Sequence, residues 1–162
     1  MKDRVKFSDE MLAAVIDGRK TQTRRLMRPQ PVLNGNFYEV FGAGWSKGIK
    51  RVTVSPGHSL ERNFPYGLVD KKIPFADKDG NIKGEIEIVD VWLQQVQEIS
   101  LEDAIAEGAP LNHPSIDAVS RYFGFPDFPR SWFGQTWWHI YGEKGWKANP
   151  WVWVIEFANI KK

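Results

Sequence analysis

Residues 18–25 concentrate groups that can bind an anion or activate a hydroxyl. The segment reads Gly-Arg-Lys-Thr-Gln-Thr-Arg-Arg, with four cationic side chains, two hydroxyls and no acidic residue from 18 to 28. A desolvated lysine can lose its proton and then activate a hydroxyl nucleophile. If the segment is extended, alternate residues share a face. One face then holds Lys20, Gln22 and Arg24, and the other holds Thr21, Thr23 and Arg25. The alternative is a solvated basic strand whose threonines serve β propensity.

A short helix is expected to position this segment. Ser8 is suited to the N-cap, and the apolar residues that follow are spaced to form one stripe, namely Met11, Leu12, Val15 and Ile16. Gly18 is expected to end the helix because glycine accepts the left-handed cap conformation. The strand that follows should end at residues 28–31, where Pro29 and Pro31 remove hydrogen-bond donors.

Composition places the chain among globular proteins. It has 162 residues, of which 42% are hydrophobic, which suits a single domain over residues 1–162. No stretch reaches the roughly 20 apolar residues of a membrane span, and the charged N-terminus is not a signal peptide. Cysteine is absent and the three histidines lack metal-ligand spacing. We therefore expect a cytoplasmic protein with no membrane association, metal or cofactor.

Charge is distributed unevenly along the chain. Residues 1–67 carry 12 Lys and Arg against 6 Asp and Glu, whereas residues 68–107 carry 4 against 10. A basic portion can bind a polyanion, or the two portions can pair across a sheet.

Most of the 8 tryptophans lie from residue 132 onward. They predict a tryptophan-rich C-terminal core, although aromatic side chains can also stack on bases.

The central part of the chain predicts a hairpin and one long strand. Residues 37–41 and 49–54 are expected to pair within a hairpin insertion near 33–55, whose tip would be basic through Arg51 and neighbouring lysines. An unliganded surface hairpin is the alternative. Residues 82–96 form the longest strand pattern, and a barrel strand of that length should be bent or bulged. An Asp-Gly turn at residues 77–81 precedes it and lacks the glutamate of a calcium loop.

Helices and a last strand are predicted after residue 99. Ser100 can cap a helix that Gly108 ends, which puts Glu107 on the last turn, against the helix dipole. Glu107 is therefore a candidate for chemistry or for a lysine partner, or else a solvated carboxylate. A helical insertion near 109–145 is expected to contain helices at 114–123 and from Pro129 to Gly142, the second with an apolar stripe of Phe133, Trp137, Ile140 and Tyr141. Residues 150–157 predict a strand beside an N-terminal strand.

Three blocks of sequence together resemble the ASCH family, which has a PUA-like β-barrel. They are the Gly-Arg-Lys-Thr-x-Thr-x-Arg signature at 18–25, residues 84–91 continuing to 97–108, and residues 145–157. The blocks occur in the family's order, and the second and third resemble bacteriophage and prophage members. The resemblance implies an α+β fold, with a mixed β-barrel of about five to seven strands and several short helices around it.

The resemblance also implies a function and a set of residues. It implies an RNA or modified-nucleoside ligand, because some small members are amidohydrolases that deacetylate N4-acetylcytidine and others are described as ribonucleases. By motif position, the catalytic lysine, threonine and glutamate fall on Lys20, Thr23 and Glu107. Candidate nucleic-acid contacts are Arg19, Arg24, Arg25, Arg28 and Arg51. The alternatives are a non-catalytic RNA-binding protein and a phage interaction protein that keeps only the fold.

Overall fold

The computed structural model describes residues 2–110, 123 and 125–160. Its strands are β1 (Val5–Lys6), β2 (Gln22–Leu26), β3 (Val32–Asn34), β4 (Phe37–Val40), β5 (Ala43–Ser46), β6 (Val52–Thr53), β7 (Lys72–Ala76), β8 (Ile82–Gln95) and β9 (Trp151–Ile160). Its α-helices are α1 (Asp9–Ile16), α2 (Leu101–Ala106) and α3 (Phe128–Lys147), and short 3-10 turns cover Glu61–Asn63 and Val96–Glu98. The helix predicted at 114–123 lies, apart from Phe123, outside the described residues.

The main sheet has six strands and curls into a half-barrel, which confirms the predicted α+β class with a mixed sheet. Its order is β1-β7-β8-β9-β2, with β6 also paired to β8, and β1 runs parallel to β7. The long strand β8 changes register against β9 between Ile88 and Asp90. This irregularity confirms the bulge expected for so long a strand. β9 pairs with β2, as predicted for the C-terminal strand.

Residues 32–46 form a separate three-stranded antiparallel sheet, in the order β3-β4-β5. The predicted pairing within the hairpin was wrong. β4 pairs with β3 and with β5, while the segment expected to be its partner supplies β6, which joins the main sheet. The tight turn at Phe41 and Gly42 allows the nearer strand β5 to pair first. Gly42 has a φ of +78°, which glycine accepts without strain.

Alternate residues of β8 and β9 face two cores. Val91, Leu93, Trp153 and Ile155 pack on one face with β1, β7 and the three-stranded sheet, while Trp92, Val152 and Val154 pack on the other against the C-terminal helix. Phe133, Trp137 and Trp146 of α3 lie in this second core, which confirms the predicted tryptophan-rich C-terminal core.

The helices end largely where the sequence predicts. Ser100 Oγ accepts from the backbone N–H of Asp103 at 3.0 Å and caps α2, which ends just before Glu107. Gly142 has a φ of +78° and breaks α3, so the predicted stop is present and a further turn follows it. Ile140 does not belong to the buried stripe of α3, because 66% of it is exposed. In the described residues no helix is both long and apolar enough to span a membrane.

Candidate functional site

The signature segment lies at an edge of the main sheet. β2 is last in the strand order, so β9 pairs with one of its edges and the other edge has no strand partner among the described residues. Two backbone hydrogen bonds hold the segment before it: Lys20 N donates to Ala14 O at 3.0 Å, and Thr21 N donates to Ala106 O at 2.7 Å. These bonds place the start of β2 between α1 and α2, which brings Lys20 beside the end of α2.

Glu107 lies between two cations. Lys20 Nζ donates to Glu107 Oε1 at 2.9 Å and to the backbone oxygen of Glu107 at 2.9 Å. Arg24 Nη1 donates to Glu107 Oε2 at 3.0 Å. All three residues are at most 5% exposed, so these are buried ion pairs. The carboxylate that opposes the dipole of α2 is thus balanced by two charges from the neighbouring strand.

A wider polar network surrounds this centre. Gln22 Nε2 donates to Asp103 Oδ1 at 3.0 Å and to Glu156 Oε2 at 3.2 Å, while Gln22 Oε1 accepts from Arg24 Nη1 at 3.0 Å. Arg24 Nη2 lies 3.4 Å from Asp103 Oδ2. We call Lys20, Gln22, Arg24, Asp103, Glu107 and Glu156 the buried polar cluster. It fixes the Arg24 guanidinium on several sides and leaves little freedom for its side chain.

The environment of Lys20 weakens its hold on its proton. Burial lowers the pKa of the Lys20 ammonium, and the nearby charges of Arg25 and Arg24 lower it further, against the opposing effect of Glu107. Burial dominates because an ammonium group loses the water that stabilises its charge. The carboxylate of Glu107 is also shared with Arg24, so it does not balance Lys20 alone. This environment favours a lysine that can act as a base.

Thr23 lies on the other face of β2. It pairs with Ile155, and Arg24 pairs with Val154, so their side chains point to opposite sides of the sheet. Thr23 Oγ1 accepts from Arg25 Nε at 3.1 Å, and the residue is 4% exposed. Among the described residues, the hydroxyl has no hydrogen bond to Lys20 or Glu107. The predicted faces of the strand are therefore observed, with lysine and threonine on different ones.

One cavity is nevertheless lined by residues from both faces of the signature segment. Its volume is about 200 Å³, and its signature side is lined by Lys20, Thr23, Arg24, Arg25 and Glu107. α3 forms a facing, largely aromatic wall with Trp132, Phe133, Thr136, Trp137, Ile140 and Tyr141. We call this space the signature cavity. The structure thus brings together the three residues predicted as catalytic and two of the predicted nucleic-acid contacts.

The other three predicted arginines lie outside the signature cavity. Arg19 is exposed and ion-paired with Asp17 at 2.8 Å. Arg51 lies 3.8 Å from the ring centre of Trp92 and 3.4 Å from Asp90, which holds it on the surface of the second core. Arg28 is exposed and lines a neighbouring cavity. Only Arg28 among these three is near enough to extend the site.

Sequence reasoning missed two groups of site residues. The first is Gln22, Asp103 and Glu156, which complete the buried polar cluster; the four-residue spacing of Asp103 and Glu107 on α2 was the available signal. The second is the aromatic wall, because the tryptophans of α3 were assigned to the core. Trp132 and Tyr141 are half-buried and face the cavity while their neighbours fill the core. In the described part of the chain, no cluster of three metal-ligating side chains occurs.

Comparison with known proteins identifies the fold and no closer relationship. No family model matches the sequence, and no curated protein matches it. The chain is similar to the crystal structure of protein EF3133 from Enterococcus faecalis V583, described as a DUF984 protein. The TM-score is 0.51 at 10% sequence identity, over 99% of this chain and 82% of the other.

Proposed function

We propose that this protein is an ASCH-type, PUA-like domain that binds a modified nucleoside and hydrolyses the amide bond of an N4-acylated cytosine. One observation carries the proposal: Lys20, Thr23 and Glu107, which the family resemblance designates as catalytic, line a single cavity although 87 residues separate Lys20 from Glu107.

Thr23 serves as the nucleophile in this proposal. Neutral Lys20 takes the proton of the Thr23 hydroxyl through a water molecule in the signature cavity, which both residues line, and Oγ1 attacks the acyl carbon. The bond between that carbon and N4 then breaks, and the proton passes to N4, so cytidine leaves with its amino group restored. Water hydrolyses the ester on Thr23, which regains its proton and releases a carboxylic acid. Arg25 Nε, 3.1 Å from Oγ1, stabilises negative charge that develops there.

Glu107 positions Lys20 and assists the proton transfer. Its carboxylate holds Lys20 Nζ at 2.9 Å while Arg24 holds the other oxygen. When Lys20 gains the Thr23 proton, Glu107 stabilises the resulting ammonium and shares in passing the proton to the leaving amine. A buried lysine with no such partner would resist becoming charged during the reaction. The contact with Glu107 therefore allows Lys20 to be neutral before the reaction and charged during it.

The aromatic wall supports a flat base as the ligand. Trp132 and Tyr141 are half-buried and line the same cavity as the guanidinium of Arg25 and the hydroxyl of Thr23. Stacking on aromatic rings contributes about 1–3 kcal/mol per base, and guanidinium groups donate to a pyrimidine carbonyl.

The test is turnover of a panel of N4-acylcytidines by the wild type and two variants. Lys20→Met removes the base and Thr23→Val removes the hydroxyl at nearly constant volume, so each should reduce turnover by at least about a thousandfold. Thr21→Val is the matched control, because Thr21 is exposed and outside the cavity. A wild type that hydrolyses none of the panel contradicts the proposal.

A second candidate is binding without hydrolysis. One observation favours it: both oxygens of Glu107 and the hydroxyl of Thr23 already have hydrogen-bond partners from the protein. In that case the same cavity would hold a base of RNA, with no bond broken. Binding that weakens with salt, combined with no turnover, would identify this function.

A further inference from the structure

Two further cavities share lining residues with the signature cavity. One, of about 300 Å³, is lined by Lys2, Asp3, Arg4, Lys6, Arg25 and Tyr66. The other, of about 270 Å³, is lined chiefly by Lys2, Arg25, Arg28, Tyr66 and Tyr141. Arg25 lines all three spaces, and Tyr141 lines the signature cavity and the second of these. We call the two together the basic groove.

The basic groove has an excess of cations. It contains five cationic side chains and one carboxylate, Asp3, which is 2.9 Å from Arg4 Nη2 and therefore balances that arginine. The other four cations are Lys2, Lys6, Arg25 and Arg28. Among the described residues, no carboxylate oxygen lies within 4.0 Å of their side-chain nitrogens. Unpaired cations at a concave surface are the arrangement that binds phosphate.

Arg25 lines both the signature cavity and the basic groove, and several contacts fix its side chain. Its Nε donates to Thr23 Oγ1 at 3.1 Å and its Nη2 donates to Lys6 O at 2.9 Å, while its guanidinium carbon lies 5.3 Å from the ring centre of Phe7. Within the described chain, nothing accepts a hydrogen bond from its Nη1. A guanidinium fixed in this way offers a preorganised donor to an incoming anion.

We propose that the basic groove binds a phosphate group attached to the nucleoside whose base occupies the signature cavity. The inference rests on the proposed function and makes it more specific: the substrate is a phosphorylated cytidine, not the free nucleoside. Arg25 contacts the phosphate nearest the base, and Lys2, Lys6 and Arg28 bind it or the next one. The phosphate is either the terminal group of a mononucleotide or a backbone group of RNA.

The experiment measures binding through the fluorescence of the cavity tryptophans. Three probes are compared at low salt: cytidine, cytidine 5′-monophosphate and a short single-stranded oligocytidine. We expect the monophosphate to bind at least about tenfold more tightly than cytidine, with an advantage that shrinks as salt rises. A further gain for the oligocytidine identifies an RNA backbone, and equal affinity identifies a mononucleotide.

Variants assign the effect to the groove. Lys2→Ala with Arg28→Ala should remove most of the phosphate advantage and leave the affinity for cytidine unchanged, because neither residue lines the signature cavity. Lys47→Ala is the matched control, an exposed lysine outside all three cavities. Equal binding of cytidine and its monophosphate, or an unchanged advantage in the double variant, overturns the inference.

The outcomes separate this inference from the proposed function. If N4-acetylcytidine and its 5′-monophosphate are hydrolysed with equal kcat/KM, the hydrolase proposal stands and the groove inference fails. If neither is hydrolysed but the phosphate advantage persists and depends on Lys2 and Arg28, the groove inference stands for a binding protein. If no probe binds, the groove inference fails, and the hydrolase proposal is decided by turnover of the N4-acylcytidine panel.

Discussion

The positively charged side chains on the two faces of β2 differ in their partners. On the helix side, the carboxylates of Asp103 and Glu107 pair with Lys20 and Arg24, and Glu156 joins the buried polar cluster through Gln22. On the other side, Arg25 has a hydroxyl, a backbone oxygen and an aromatic ring as neighbours. Of the other cations of the basic groove, Arg4 is paired with Asp3, whereas Lys2, Lys6 and Arg28 have no ion pair with the described residues.

This difference separates charges that belong to the fold from charges that await a ligand. A buried charge must be paired within the protein, because desolvation would otherwise cost several kcal/mol. A partly exposed cation keeps its water and can remain unpaired until an anion arrives. Substitutions in the buried polar cluster should therefore act on stability as well as activity, whereas those in the basic groove should act on binding alone.

Removal of Glu107 should have the largest effect. Glu107→Ala leaves Lys20 and Arg24 buried beside each other without their shared carboxylate, so we expect a loss of about 3–5 kcal/mol in the free energy of unfolding. Urea unfolding measures it, with Glu102→Ala as the control, since Glu102 is an exposed carboxylate on the same helix. A loss below about 1 kcal/mol would mean that the cluster is not a structural unit.

Removal of Lys20 should cost less. In Lys20→Met the two hydrogen bonds from Nζ to Glu107 Oε1 and to the Glu107 backbone oxygen are lost, but the carboxylate of Glu107 keeps Arg24 as its partner at 3.0 Å. We expect a loss of about 1–3 kcal/mol in unfolding free energy, smaller than for Glu107→Ala, together with complete loss of turnover. A greater loss of stability than for Glu107→Ala would contradict the view that two cations share one carboxylate.

The pH dependence of stability should reveal Lys20. Because burial lowers its pKa from the usual 10.5, the unfolded chain binds this proton more tightly than the folded one. Unfolding free energy should therefore rise with pH over the interval between the lowered pKa and 10.5, where only the unfolded state still holds the proton.

Comparison with Lys20→Met isolates that contribution from other titrating groups. As the pH rises towards 10.5, the wild type should gain stability relative to the variant, and Glu107 limits the gain because it opposes the effect of burial on the pKa of Lys20. A difference that stays constant or falls with pH would show that Lys20 keeps its ordinary affinity for the proton.

The basic groove should show the smallest effect on stability. Lys2 and Arg28 are exposed and make no ion pair with the described residues, so Lys2→Ala and Arg28→Ala should each change the unfolding free energy by less than about 0.5 kcal/mol. Each should also lower the slope of anion affinity against salt by about one. Thermal melts and salt titrations of the same samples distinguish these expectations from a structural role.

The elements of the fold were largely predictable because each depends on local residues. Ser100 and Gly108 mark the limits of α2, and the alternation of residues 82–96 indicates the long strand. The pairing of β4 was not predictable in the same way. Two candidate partners followed it, and the tight turn at Gly42 brought the nearer and less apolar one into register.

The residues of the site could be predicted from the sequence, but their arrangement in space could not. The family resemblance designates Lys20, Thr23 and Glu107, but only the packing of α2 against β2 shows that Arg24 shares the carboxylate. The role of α3 was hidden for a physical reason: its aromatic residues have one pattern whether they fill the core, as Trp137 does, or also line a cavity, as Trp132 does. Arg51 shows the converse, a basic residue held by Trp92 and Asp90 away from the site.

The most direct test of the central claim is intact-mass and peptide mass spectrometry of the protein mixed rapidly with N4-acetylcytidine and quenched. If Lys20 activates Thr23 at the edge of β2, one acyl group should be found on Thr23 in the wild type, and none in Lys20→Met or Thr23→Val. Undiminished hydrolysis by Thr23→Val, with no acylated protein in any sample, would contradict the account.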